Sequence, residues 1–280
     1  MTFRNHIASF FRLMLGTGPV QDKPNRTFSR PDLLRYRCNI CGQMCETKIS
    51  ELGRETPSCA GCGSTVRMRA IIHMLSMELF GKSLALPDFP ARPDITGIGM
   101  SDWDGYAIPL AHKLGYKNTY YHQDPKLDIT SIDSSIEGSL DFIISSDVFE
   151  HIVPPVSIAF ENARRLLKPA GVLIFTVPYS QDGRTHEHFP DLYHYKIMET
   201  GGRRILENKT RDGREQRFDN LVFHGGSGAT LEMRVFSESG LMEEFNGAGF
   251  KKVKLYKDPN LAHGVYWIHD WSLGMTARLF

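Results

Sequence analysis

The segment from Leu140 to Tyr179 constrains the fold most, because it predicts a strand, a helix and a second strand in close succession. Phe142–Ser145 is a short apolar run, typical of a strand that is buried on both faces. Apolar residues then recur at helical spacing from Val156 to Leu166, and Val172–Val177 is the next apolar run. A helix between two buried strands is a βαβ unit, which predicts an α/β fold with a mostly parallel sheet.

Three polar side chains, Asp147, Glu150 and His151, follow the first of these strands. Ligands of open parallel sheets bind beyond the carboxyl ends of the strands. The sequence therefore predicts that these residues lie at the active edge of the sheet.

The same segment resembles the second half of class I S-adenosylmethionine-dependent methyltransferases. The matching motifs are LDFI at 140–143, VFEHI at 148–152, RLLKPAG at 165–171 and VP at 177–178. The resemblance covers roughly residues 92–180, and more loosely the tail to residue 280. It implies a Rossmann-like, seven-stranded, mostly parallel sheet with helices on both faces, an antiparallel last strand and a site for S-adenosylmethionine.

The resemblance places the cofactor loop in Asp94–Asp102, where Gly97 and Gly99 are present and Ser101 stands in place of a third glycine. Glycines let the backbone approach a ligand closely, and the N terminus of the next helix favours a carboxylate. The acid that the family carries in this loop is missing from its usual place, and Asp94, Asp102 or Asp104 could replace it. The alternative is a glycine turn in an unrelated α/β fold.

Asp124 follows the second predicted strand, Asn118–His122. An acid at the end of a second strand accepts the ribose hydroxyls in dinucleotide-binding folds. The resemblance implies a ribose contact for Asp124, an adenine contact for Asp128, and places for Asp147 and Glu150 in the same cofactor site. The alternatives are a turn residue before proline for Asp124 and a solvated loop residue for Asp128.

Two CxxC pairs, Cys38/Cys41 and Cys59/Cys62, lie upstream of the βαβ unit. Each pair delivers two thiolates to one point, so their spacing predicts a tetrahedral zinc ribbon. Disulfides are the alternative, but the apolar run Ile7–Leu15 is too short and too polar for a signal peptide. The fifth cysteine, Cys45, is either free or a competing ligand.

The string CGSTVRMR at 62–69 resembles the junction in a bacterial methyltransferase subgroup that has an N-terminal four-cysteine module and is often found with glycan-assembly enzymes. A zinc ribbon usually serves folding, because metal binding supplies about 10–16 kcal/mol of apparent free energy in small zinc modules, so we expect the zinc to be structural. We expect residues 1–30 to be an amphipathic segment and linker, 31–75 the zinc ribbon and 76–280 the methyltransferase domain, with 180–235 inserted to form the acceptor pocket. Residues 1–75 contain 11 Lys/Arg against 5 Asp/Glu, so nucleic acid is an alternative partner.

His186 and His188 flank Glu187 just beyond the predicted strand end at Val177. A hydroxyl acceptor must lose a proton, and a histidine can take it, so we expect His186 or His188 to be the base, with His151 as second choice. These histidines could instead hydrogen-bond the backbone or hold substrate. The HEH string lacks metalloprotease spacing, so no second zinc is predicted there. The following glycine loop at 224–228 favours a turn or a substrate lid over a phosphate cradle.

Later patterns predict one helix and two final strands. The helix begins at Ser237 and stops at Gly249, and the strands are Lys251–Tyr256 and Trp267–Leu273. No apolar run is long enough for a membrane span. The sequence thus favours a cytoplasmic methyltransferase with a structural zinc, acting on an oxygen of a sugar, glycan precursor or small metabolite. The alternatives are an RNA methyltransferase and a non-catalytic cofactor-binding or scaffold protein.

Overall fold

The computed structural model describes residues 33–181, 183–224 and 230–280; the predicted segment 1–30 lies outside them. The strands of this part are β1 Leu33–Arg37, β2 Met44–Lys48, β3 Arg92–Met100, β4 Leu114–Thr119, β5 Leu140–Ser146, β6 Leu167–Thr176, β7 Tyr179–Ser180, β8 His186–Glu187, β9 His194–Thr200, β10 Arg203–Lys209, β11 Glu215–Phe218, β12 Phe223–His224, β13 Thr230–Leu231, β14 Arg234–Ser237, β15 Lys252–Leu255 and β16 Met275–Arg278. Its α-helices are α1 Val66–Phe80, α2 Asp104–Ala111, α3 Ser157–Leu166 and α4 Glu238–Gly247. Short 3-10 helices span Ile49–Glu51, Leu86–Asp88, Ser134–Ile136, Phe149–His151 and Leu261–His263.

The central sheet has the strand order β15-β16-β6-β5-β3-β4. Strands β4, β3, β5 and β6 are parallel, while β16 is antiparallel to both of its neighbours. This is a methyltransferase-like mixed sheet whose last strand is antiparallel. It has six strands in the part of the chain that is described, one fewer than the resemblance implies.

Several predicted boundaries differ from those of the structure. The final strand is β16, and the predicted strand Trp267–Leu273 is instead a loop in which the indole of Trp267 donates to the Tyr256 carbonyl at 3.0 Å. Strand β4 begins and ends earlier than the predicted Asn118–His122. Helix α3 ends at Leu166 and β6 begins at once, five residues before the predicted strand Val172–Val177.

The βαβ unit β5–α3–β6 surrounds an aromatic core. The rings of Phe149, Phe160, Phe175 and Phe245 pack mostly edge to face, with centroids 4.9–5.7 Å apart, and all four are fully buried. Aromatic pairs favour this geometry, which adds to the energy of burial. The core fixes the end of β5 and the polar residues that follow it.

The four-cysteine module contains the β1/β2 hairpin and leads into α1. The side chain of Thr65 caps the start of this helix, and Gly81 ends it in the left-handed conformation. Helix α1 crosses the predicted division at residues 75 and 76. Residues Asp32–Phe280 form one compact unit, so the module packs against the sheet-containing part of the chain.

The segment between β6 and α4 carries its own small sheet, β9–β10–β11. Gly201 and Gly202 join β9 and β10 with φ values of 60° and 74°, as tight hairpin turns require. A small apolar core under this sheet contains Phe189, Leu192, Leu206, Leu231 and Met233. None of the described helices has the length and apolar character needed to cross a membrane.

Candidate functional site

The four cysteines of the two CxxC pairs meet at one point. The Sγ atoms of Cys38 and Cys62 are 3.8 Å apart, and those of Cys41 and Cys59 are 3.6 Å apart. Zn–S bonds of about 2.3 Å in a tetrahedron place two sulfurs roughly 3.8 Å apart, so the cluster has the dimensions of a structural zinc site. The Sγ of Cys45 lies 3.5 Å from that of Cys59, beside the cluster.

Two arginines connect this module to the carboxyl end of β5. The guanidinium of Arg54 donates to both oxygens of Asp147, at 2.7 and 2.9 Å. Arg67, in the first turn of α1, donates to both oxygens of Glu55 at 2.6 and 2.8 Å, and its Nε is 3.2 Å from Asp147. The four side chains form a charge-balanced cluster that is 14–21% exposed. The module therefore contributes directly to the active edge.

Asp147 is the carboxylate at the centre of this cluster. Burial alone would raise its pKa, but the charges of Arg54 and Arg67 hold the pKa well below its ordinary range. Its φ of 53° is in the left-handed region, where a non-glycine residue is held by its surroundings. Asp147 is thus fixed and ionised at the edge where the sequence predicts it.

Neighbouring side chains occupy the space beside the glycines of the predicted cofactor loop. A Cβ at Gly97 would collide with the ring of Phe142, and a Cβ at Gly99 would collide with the carboxylate of Asp102 and the hydroxyl of Tyr116. Both glycines lie inside β3, so these contacts account for the absence of their side chains by packing. Their predicted contact with the cofactor stays a prediction.

Asp102 is the acid nearest to these glycines. It is buried and accepts a hydrogen bond from the Tyr116 hydroxyl at 2.6 Å, while its other oxygen has no partner among the described residues. Burial raises the pKa of Asp102 to about 6 although tyrosine hydrogen bonds oppose it. The adjacent Ser101 has a φ of 58°, and its N–H donates to the Thr119 carbonyl at 2.7 Å.

The two predicted cofactor acids after β4 differ in their surroundings. Asp124 is exposed, with no hydrogen-bond partner among the described residues, and its predicted ribose contact stays a prediction. Asp128 is half-buried and accepts from the N–H and the hydroxyl of Thr130 at 2.9 and 2.7 Å. Asp128 therefore already serves a local turn.

A cluster of histidines and carboxylates lies after β5, beside the inserted segment. The Nδ1 of His151 donates to the Leu231 carbonyl at 3.0 Å. Glu232 is 4% exposed, and its two oxygens lie 2.9 Å from the Nε2 of His188 and 3.0 Å from the Nε2 of His224. Glu150 is buried, and the structure brings it within 3.8 Å of the His151 ring.

Charge and burial set the ionisation of this cluster. Burial, reinforced by the charge of Asp147, raises the pKa of Glu150 well above its ordinary value. Burial would also raise the pKa of Glu232, but the hydrogen bonds of His188 and His224 hold it below that value. Burial lowers the pKa of His151. By contrast, His186 is exposed, and its ring lies 5.1 Å from that of His188.

Sequence reasoning missed Arg54, Glu55, His224 and Glu232 as members of the site. Arg54 and Glu55 carry no motif, and the contact of Arg54 with Asp147, the residue after β5, spans some ninety residues of chain. Glu232 stands in the alternating string TLEMRVF, whose pattern places it on the polar face opposite Leu231 and Met233, so the sequence gives no sign that it is buried. Arg67 was noticeable as part of the CGSTVRMR string.

Residues 89–255 match a family described as a methyltransferase domain. No curated protein matches the chain.

Solved structures with a similar course of the chain include 1,6-didemethyltoxoflavin-N1-methyltransferase from Burkholderia thailandensis. It is 17% identical, with a TM-score of 0.42, and the match covers 75% of this chain and 77% of that one. The sugar N-methyltransferase KedS8 from Streptoalloteichus sp. is 12% identical, with a TM-score of 0.42, covering 78% of this chain and 90% of the other. Because the family match spans more than half of the chain, this protein belongs to the methyltransferase-domain family and is an S-adenosylmethionine-dependent methyltransferase.

Proposed function

We propose that the enzyme transfers the methyl group to a hydroxyl oxygen of a sugar, a glycan precursor or another small metabolite, with His188 as the base. The observation that carries this proposal is the pairing of His188 with the buried carboxylate of Glu232 at 2.9 Å. An amine can accept a methyl group through its free lone pair, whereas a hydroxyl benefits from losing its proton. A histidine held by a carboxylate therefore favours an oxygen acceptor.

The bound cofactor supplies an electrophilic methyl group. When the Nε2–H of His188 donates to Glu232, Nδ1 is the ring nitrogen that would take the proton of the acceptor. The ionised Glu232 stabilises the imidazolium that forms, as the carboxylate of a catalytic triad does. General-base assistance of this kind contributes about 10²–10⁴ in rate.

Two other histidines fit the role less well. His186 is exposed and has no carboxylate partner at hydrogen-bonding distance among the described residues. His151 donates its Nδ1 hydrogen to a backbone carbonyl, and burial lowers its pKa. His188 alone among the three predicted bases has a carboxylate at hydrogen-bonding distance.

The remaining assignments follow the same reasoning. We propose that Cys38, Cys41, Cys59 and Cys62 hold a structural zinc, because their Sγ atoms are spaced as tetrahedral ligands are. We also propose Asp124 as the ribose-binding acid, because its carboxylate is exposed and unpartnered within the described residues.

The first test is a calorimetric titration with S-adenosylhomocysteine, for which we expect 1:1 binding. Turnover is then measured as release of S-adenosylhomocysteine with a panel of free sugars, nucleotide sugars and polyols, and with a structured RNA for comparison. We expect a sugar or polyol hydroxyl to be methylated. Turnover with RNA alone would refute the proposed acceptor class.

A pair of neighbouring substitutions tests the base. We expect His188→Ala to reduce turnover by about 10²–10⁴ with unchanged affinity for S-adenosylhomocysteine. His186→Ala, at the exposed neighbour, should retain most of the turnover. Unchanged turnover in His188→Ala, or loss of cofactor affinity in both variants, would contradict the assignment.

A further inference from the structure

We propose that Glu150, His151 and His224 form a binding site for one divalent transition-metal ion, distinct from the four-cysteine site. Each of the three side chains offers one ligand atom, and these atoms lie within 4.8 Å of one another. Glu150 and His151 stand in the 3-10 helix after β5, and His224 ends β12. The site thus joins the edge of the central sheet to the inserted segment.

The carboxylate of Glu150 is the strongest indication of a missing ligand. Its side chain is 1% exposed, and neither of its oxygens has a hydrogen-bond partner among the described residues. Buried carboxylates are normally paired, hydrogen-bonded or bound to a metal. The Nε2 of His151 lies 3.8 Å from one of these oxygens, which is too far for a hydrogen bond but suits two ligands of one ion.

The two histidine rings are held as metal-ligating histidines are. The Nδ1 of His151 donates to the Leu231 carbonyl at 3.0 Å, and the Nε2 of His224 lies 3.0 Å from a carboxylate oxygen of Glu232. Metal-binding histidines commonly donate their second ring N–H to a carbonyl or carboxylate, which fixes the ring and the tautomer. One nitrogen of each ring is left with its lone pair for a cation.

The donor set indicates the class of metal. Two imidazoles and one carboxylate suit zinc and divalent iron, cobalt or nickel, whereas magnesium and calcium prefer oxygen ligands alone. Three protein ligands leave at least one coordination position for another molecule.

Glu232 connects this site to the proposed base, since one of its oxygens contacts His224 and the other contacts His188. A cation here would polarise the acceptor hydroxyl beside the base that removes its proton. This role rests on the proposed function, whereas the metal site itself does not.

Cobalt is a suitable probe because its absorption distinguishes thiolate ligands from nitrogen and oxygen ligands. The full-length protein with zinc bound to its cysteines is titrated with Co²⁺ and followed in the visible and near-ultraviolet range. We expect one further equivalent to bind with weak visible bands and no thiolate charge-transfer absorption. His224→Ala should abolish this binding, and Glu232→Gln should weaken it by roughly 10–100-fold.

His194→Ala is the matched control, because His194 is an exposed histidine of the same inserted segment that lies outside the cluster. It should bind Co²⁺ as the wild type does. His224 is 34% exposed, so its removal is compatible with folding, which circular dichroism verifies. The proposal is overturned if the wild type takes up Co²⁺ only with thiolate absorption or not at all, or if His224→Ala binds it unchanged. S-adenosylhomocysteine binding, measured on the same samples, tests the proposed function separately.

Discussion

The ion pair between Arg54 and Asp147 should connect the stability of the cysteine module to that of the sheet edge. Replacing Arg54 with methionine keeps most of the side-chain volume and removes the charge. The cluster of Arg54, Arg67, Glu55 and Asp147 then changes from neutral to a net charge of −1. Breaking a buried pair on one side costs about 3–5 kcal/mol. The side chains of Arg54 and Asp147 are 14% and 21% exposed, so the pair is not fully buried. We therefore expect the free energy of unfolding to fall by about 3 kcal/mol, at the lower end of that range.

The assay is urea-induced unfolding of the zinc-loaded protein, followed by circular dichroism and by tryptophan fluorescence. A double-mutant cycle with Arg54→Met, Asp147→Asn and the double variant isolates the interaction between the two side chains. We expect a coupling free energy of about 2 kcal/mol, within the range found for residues in direct contact.

The control is Arg35→Met, which removes an arginine from the same module. Arg35 pairs with Glu46 on the surface, where the side chains are 81% and 43% exposed. Solvent and salt screen such pairs, so the unfolding midpoint should not change measurably. A coupling below about 0.5 kcal/mol between Arg54 and Asp147 would refute the argument that this pair joins the module to the sheet.

Three further predictions concern the cofactor, the cysteine metal and pH. Asp124→Ala should weaken S-adenosylhomocysteine binding in calorimetry by tenfold or more. Asp128→Ala should have a smaller effect, because the carboxylate of Asp128 serves a local turn. Equal effects of the two substitutions would contradict the ribose assignment. Removing the zinc proposed for the four cysteines with a strong chelator, or by Cys62→Ser, should unfold the module in circular dichroism. It should also reduce cofactor affinity, because Arg54 and Arg67 would then lose their support. Burial lowers the pKa of His73 to about 4, so its neutral form stabilises the fold above its ordinary pKa near 6.5, and this contribution is lost as the pH falls from 6.5 through 4. His73→Gln should therefore make the free energy of unfolding depend less on pH between 7 and 4.5, by about 2 kcal/mol at most after allowance for partial exposure. The fall in melting temperature over this range should be smaller in the variant than in the wild type, and an equal fall would show that His73 is not responsible.

The parts of the fold that could be predicted are those with a strong local pattern. The βαβ unit was predictable because Phe142–Ser145 and Val172–Val177 are apolar runs on either side of an amphipathic helix, and the structure confirms both strands. The clustering of the two CxxC pairs was predictable because a tetrahedral metal site needs four ligands and this spacing supplies them. The structure confirms that the four sulfurs lie together. The helix beginning at Ser237 is confirmed, with the Ser237 hydroxyl accepting from the Gly240 N–H at 3.0 Å.

The errors lie where tertiary contacts override local pattern. Trp267–Leu273 has the composition of a strand, but the antiparallel position beside β6 is taken by Met275–Arg278. The packing around Gly97 and Gly99 was likewise not foreseen: Phe142, Asp102 and Tyr116 fill the space that side chains would occupy there, while the cofactor contact of these glycines stays a prediction. Both arrangements depend largely on residues that are distant in the chain, so local pattern does not reveal them.

The same distance explains why the site was only partly predicted. His188 and His151 were recognisable by residue type and by their position after strands, but their partners Glu232 and Leu231 come from a segment that begins forty or more residues later. Hydrogen bonds between backbone groups bring these pieces together, since the Met233 N–H donates to the Glu150 carbonyl at 2.8 Å and the His188 N–H donates to that of Met233 at 2.8 Å. The catalytic assignment therefore depends on the pairing of the insertion with the sheet edge, which no local pattern specifies.

The contacts of the module also bear on the choice between small acceptors and RNA. The excess of positive charge in residues 1–75 made nucleic acid an alternative binding partner in the sequence analysis. In the structure, Arg54 and Arg67 bind Asp147 and Glu55, and Arg69 is fully buried, donating to backbone carbonyls of Gly264 and Ser64. These three cations therefore hold the module against the sheet and the C-terminal segment, and they are not available to bind phosphates. Within the described residues of the module, three of the six Lys/Arg side chains thus support the architecture of the sheet edge, and the excess of positive charge is not by itself a sign of a phosphate-binding surface.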